Sequence, residues 1–201
     1  GTGAKAPGLY QLFDPTYGNP DLKAETSRGG DIGMDMNFDR FAAQISWFFN
    51  KTKNEIGWDG IYRQYGRTRK SGVEVALVLT PAEWINIRQS FTYLDATSDA
   101  DNDGRYLDMS RPRHSGSTSV TLTPAERLTL TARARYRDRN DSSYGGSTPS
   151  YAVVDLLGSY GITDRIEVYG RVVNLFDKWY QMSYGTNTLG LSAYGGVRVS
   201  F

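Results

Sequence analysis

The chain has 201 residues, with 23 Lys and Arg against 22 Asp and Glu, a single histidine and no cysteine. A near-neutral balance gives no electrostatic footprint for nucleic acid, and the lack of cysteine excludes a disulfide framework, a thiolate metal site and a cysteine nucleophile. No run approaches the ~18 apolar residues of a membrane-spanning helix, which leaves room for a membrane barrel, whose strands alternate and average out as polar.

Taken in order, Gly1 to Lys5 shows no charged head followed by an apolar stretch, so no signal peptide is read there. Either the protein is made without one or the chain starts inside a longer one. The period-two pattern begins with Gly30, Ile32, Met34, Met36 and Phe38, set against Asp31, Gly33, Asp35 and Asn37. After an Asp39-Arg40 turn, Phe41, Ala43, Ile45, Trp47 and Phe49 carry it on. It returns at Val73 to Leu79 and at Ile85 to Tyr93, with Gln89 the one misfit on the apolar face. His114 to Leu122, Leu128 to Tyr136, Ala152 to Tyr160, Ile166 to Val172 and Leu191 to Phe201 repeat it. No stretch has a convincing helical period, so the fold class is all-β with about nine strands.

The connections alternate in length. Asp39-Arg40, Thr80 to Glu83, Thr123 to Glu126 and Gly161 to Asp164 read as tight turns. In the recurring Leu-Thr-Pro-Ala-Glu, Pro81 and Pro124 are preset for the second position of a type I turn. Long loops are expected at Asp59 to Tyr65, Ala96 to Arg113, Arg139 to Ser150 and Asp177 to Gly190. Short turns on one rim and long loops on the other describe an antiparallel transmembrane β-barrel of the outer membrane. A soluble up-and-down barrel also alternates, but it would bury the Arg133-Arg135-Arg137 row at several kcal/mol per charge. Aromatics near strand ends, such as Phe38, Phe41, Trp84, Tyr136 and Tyr160, fit interfacial girdles.

Specific segments resemble a known family. Val172-Val173-Asn174-Leu175-Phe176-Asp177-Lys178-Trp179-Tyr180 is similar to the V-x-N-L-F-D-K-x-Y stretch of TonB-dependent outer-membrane receptors. Gly1 to Pro7 resembles their G-T-x-F-K-A-P segment, with Ala4 where an aromatic is usual. Gly18 to Ser27 resembles their G-N-P-x-L-x-P-E-x-S loop, with Ala24 in place of Pro, and Lys70 to Glu74 their x-S-G-V-E strand entry. The resemblance implies a barrel of about 22 strands closed around a plug. Residues 1–201 would be its C-terminal segment, with Gly1 to Pro7 the end of a strand begun upstream. An odd strand count argues the same way, because bacterial single-chain barrels have even numbers. The plug domain and the motif that engages TonB would lie outside this chain.

The resemblance further implies TonB-dependent uptake of a large, scarce nutrient across a Gram-negative outer membrane, without enzymatic chemistry. Expected partners are outer-membrane lipid, the protein's own plug, TonB, a large metal-chelate ligand and the barrel-assembly machinery, which reads the terminal Phe201. The tail from Tyr180 to Phe201 is most similar to vitamin B12 receptors, and Leu22 to Ser27 also resembles catecholate siderophore receptors; haem and metallophore receptors fit nearly as well. In the loops, Tyr62, Tyr65, Tyr144 and Tyr184 have the rings and hydroxyls to hold a planar ligand, and Arg111 adds a rim cation. Asp99, Asp101 and Asp103 followed by Gly104 match the first half of a calcium loop, with Asp108 a further oxygen donor. Ser110 stands where the bidentate Glu should be, so the full calcium motif fails. Two rival readings are a small self-contained outer-membrane barrel that acts as a pore, and one that acts as a hydrolase around His114.

Overall fold

The computed structural model describes residues 1–58, 60–99, 103–105, 107–109, 111–141 and 146–201. The elements are β1 (Thr2–Lys5), α1 (Leu9–Phe13), β2 (Glu25–Phe38), β3 (Phe41–Trp58), β4 (Tyr62–Ala82), β5 (Ile85–Asp99), β6 (Leu107–Asp108), β7 (His114–Ala125), β8 (Leu128–Arg137), β9 (Asn140–Asp141), β10 (Ser147–Thr148), β11 (Tyr151–Gly161), β12 (Ile166–Val173) and β13 (Ser192–Val199). Ten of these strands form one meander, β1-β2-β3-β4-β5-β7-β8-β11-β12-β13, with β6 attached to β5 and β9–β10 a separate ribbon. Every pairing is antiparallel, as expected for an all-β barrel wall.

Three expectations change. Among the described residues the wall has ten strands, because Thr2–Lys5 pairs fully with Glu25–Arg28, so the argument from an odd count falls. The short helix α1 went unread because five residues show no periodicity. The repeated proline is not in a turn: the ladder shifts register between Leu79 and Ala82 and again between Leu122 and Ala125. Pro81 and Pro124 sit in those irregularities, where a residue without an N–H interrupts no hydrogen bond. The turns themselves are Glu83-Trp84 and Glu126-Arg127.

The sheet is a single layer and does not close: β1 pairs only with β2, and β13 only with β12. A barrel complete within these residues is therefore not the shape formed. One face is apolar, in rows set by register. Ile32 opposes Trp47, Trp47 opposes Val73, and Val73 opposes Tyr93. Ile32 is 72% exposed and Val197 61%, far more apolar surface than water tolerates in a contiguous patch, and the natural cover is lipid. The misfit Gln89 lies opposite Thr118, whose hydroxyl donates to its side-chain oxygen. Its amide donates to the Ser90 carbonyl at 3.1 Å, which satisfies the one carboxamide of the apolar band.

The other face is polar, and some of its charges are paired across strands. Arg135 meets Asp155 at 3.0 Å and Arg198 meets Glu167 at 2.6 Å. The Arg171 guanidinium lies 4.5 Å from the Tyr194 ring centroid. Gly72, in the strand-entry motif, is required by close approach: a Cβ there would strike the Tyr93 carbonyl and the Phe48 ring on this face.

Candidate ligand-binding rim

A strand needs about 9–11 residues to cross a bilayer, whereas β3 has 18 and β4 has 21. The β3–β4 ladder therefore runs on past the apolar band toward the long-connection rim. Tyr62 and Tyr65, expected in a loop, are on β4: Trp58 opposes Tyr62 and Glu55 opposes Tyr65. The segment carrying α1 docks on this tip. The Tyr62 N–H donates to the Tyr17 carbonyl at 3.0 Å, and the Asn19 amide donates to the Tyr62 carbonyl at 3.1 Å. Gln64 accepts from the Lys23 N–H at 3.2 Å and donates to the Lys23 carbonyl at 2.7 Å.

These bonds assemble an aromatic cluster. Tyr62 meets Tyr10 edge-on at 6.0 Å and Trp58 at 5.1 Å, and Trp58 meets Tyr17 at 5.0 Å. Tyr10 and Tyr17 remain exposed, so the cluster offers rings and hydroxyls outward. Tyr10, Tyr17 and Trp58 were missed in the sequence because their partners lie on other segments. Tyr65 packs over Gly57, where any side chain would collide with the ring.

The other expected site residues are dispersed. Tyr184 covers Gly146 and is half exposed, and Arg111 is exposed in the approach to β7. Tyr144 and Asp101 lie outside the described residues, as does the side chain of Asp108. Asp99 is fully buried, and its carboxylate accepts the N–H groups of Asp103 at 3.1 Å and Gly104 at 3.2 Å. Asp103 in turn accepts the Arg105 N–H at 2.8 Å, so both carboxylates are engaged by backbone N–H groups. Among the described residues no three acidic or histidine side chains form a metal-sized group. Phe201 follows β13 and is fully exposed.

His114 has a partner that sequence spacing did not disclose. Its Nδ1 lies 2.7 Å from Asp138, and its own N–H donates to the same carboxylate oxygen at 2.9 Å. The Asp138 N–H returns a bond to the His114 carbonyl at 2.9 Å. The Tyr136 hydroxyl donates to the second carboxylate oxygen. That hydroxyl, with help from His114 and against the cost of partial burial, holds the Asp138 carboxyl below its ordinary value. The group clasps the outer ends of β7 and β8.

The tail motif forms a buried polar hub. Asn174 is fully buried with φ +53. Its N–H donates to Asp155 at 3.0 Å, and its amide donates to the carbonyls of Lys178 at 2.9 Å and Leu189 at 3.2 Å. Its side-chain oxygen accepts the Lys178 N–H at 2.9 Å. Asp177 accepts the Leu191 N–H at 2.8 Å, leading the chain into β13.

An open antiparallel wall with one lipid-ready face, a charged inner face and an extended aromatic rim is a segment of outer-membrane barrel. Residues 1–175 match the family model described as TonB dependent receptor-like, beta-barrel, and the chain belongs to that family, whose members reside in the Gram-negative outer membrane. It is 30% identical over 194 residues, 92% of this chain and 31% of the relative, to the vitamin B12 transporter BtuB of Vibrio vulnificus. It is 27% identical, over all of this chain and 36% of the relative, to the iron-regulated outer membrane virulence protein of Vibrio cholerae. The siderophore receptor PiuA from Acinetobacter baumannii superposes with a TM-score of 0.79 at 22% identity, covering 98% of this chain and 32% of that one. The chain thus spans about a third of the length of the curated relatives it matches.

Proposed function

We propose that residues 1–201 are the C-terminal segment of the barrel wall of an outer-membrane receptor that takes up a large, scarce nutrient, either cobalamin or a ferric chelate. The ligand lands on the long-connection rim and passes through the lumen when TonB acts on a plug carried elsewhere in the polypeptide. The observation that supports this most is the sequence likeness to a vitamin B12 transporter across 92% of the chain. BtuB is a transporter and PiuA a receptor by name, so the reading is one of binding and passage without chemistry on the ligand.

Within this reading, Tyr62 and its neighbours Tyr10, Tyr17 and Trp58 form the planar contact, Tyr65 follows on the same strand, and Arg111 and Tyr184 belong to other parts of the rim. Arg133 and Arg137 on the inner face, with Arg135, line the passage and meet the plug. Phe201 serves barrel assembly. The test is binding of cobalamin and of ferric siderophores to the full-length receptor, followed by quenching of tryptophan fluorescence, beside uptake by cells with and without TonB. One ligand is expected to bind, with affinity reduced about tenfold by Tyr62→Ala, equivalent to one stacking contact of ~1.4 kcal/mol. Uptake that persists without TonB, or an unchanged affinity, overturns the assignment.

A further inference from the structure

The lipid-side face carries a second feature, unrelated to nutrient passage. Just beyond the apolar band, toward the long-connection rim, Arg28 opposes Lys51 and Lys51 opposes Arg69; two residues further out, Lys53 opposes Arg67. All five side chains are exposed, whereas Thr52, Thr68 and Lys70, which alternate with them, are buried or half-buried on the inner face. Like charges directly opposed across strands are destabilising, so a ladder built this way calls for an anion. The side chains of Arg28, Lys51, Lys53 and Arg67 have no hydrogen-bonding or ion-pair partner among the described residues. The carboxylates of this face lie on β5. Asp95 opposes Ser71, and Asp99, opposite Arg67, is buried and bonded to the backbone of Asp103 and Gly104.

What lies next to the cations identifies the anion's other half. On the same face, one step inward, come Gly30 and Phe49, then Ile32 and Trp47, with the Trp47 and Phe49 rings 5.5 Å apart. A molecule joining phosphate to acyl chains satisfies both zones at once, and a free phosphate satisfies only one. We propose that this patch binds an acylated, phosphorylated glycolipid of the outer leaflet, with its phosphates on Arg28, Lys51, Lys53 and Arg67 and its chains along Ile32, Trp47 and Phe49.

The test uses the full-length receptor in nonionic detergent and native mass spectrometry with three probes: a diphosphorylated acylated disaccharide, its phosphate-free counterpart and inorganic phosphate. The diphosphorylated lipid is expected to bind alone among the three. The triple variant Arg28→Gln, Lys51→Gln, Lys53→Gln is expected to lose it by roughly fivefold per charge removed, about a hundredfold together. Neutralising Arg40 and Arg165 on the opposite rim is expected to change nothing. Equal binding of the phosphate-free lipid overturns the proposal without recourse to any variant. So does binding of inorganic phosphate as tight as that of the lipid, undiminished binding by the triple variant, or equal loss in the opposite-rim control.

Discussion

Asn174 occupies a left-handed conformation, with φ +53, that suits asparagine better than most residues. Each side-chain atom able to hydrogen-bond is engaged with the loop that returns to β13. Replacing it with alanine leaves two carbonyls and one N–H without partners in a partly buried place and adds backbone strain. The Asn174→Ala receptor is expected to lose about 3 kcal/mol of unfolding free energy in urea. Asn174→Gly, free of the strain, is expected to lose about 1 kcal/mol less; equal losses would mean that strain plays no part. The motif around Asn174 was legible in the sequence as a resemblance, but its role was not, because its partners Asp155 and Leu189 lie far along the chain. The same holds for Tyr62, singled out for its ring although the neighbours that make it a cluster come from other segments.

At the scale of elements, alternation disclosed the β2–β3 hairpin and most of the ladder, because one apolar and one polar face leave a period of two. It failed where strands leave the membrane: beyond Phe49 both faces of β3 are wet, the pattern stops and the hydrogen bonds continue. The β7–β8 hairpin, with strands of 12 and 10 residues, is instead closed at its outer end by His114 and Asp138. The fold favours the ionised Asp138, so the clasp stabilises the hairpin above the ordinary carboxylate value of 3.8 and loses that contribution as the pH falls below it. In thermal unfolding, Asp138→Asn is expected to melt below the wild type at neutral pH and to match it at about pH 2. A deficit that persists in acid would show that the carboxylate's charge is not what holds the hairpin.

For the whole molecule, a one-layer sheet with almost no buried core is unworkable alone in water. Its apolar rows need lipid, its inner charges need a wet lumen, and the edges β1 and β13 need neighbours. The composition hid this, since half of every strand is polar. These residues are expected to complete their barrel only within a longer polypeptide. The most direct measurement is the intact mass of the native protein that carries this sequence, extracted from outer membranes. The chain accounts for 22.4 kDa, and a mass about threefold greater is expected, as a plugged barrel of about 22 strands requires. A native mass near 22.4 kDa would contradict it and favour a small barrel closed by these strands alone.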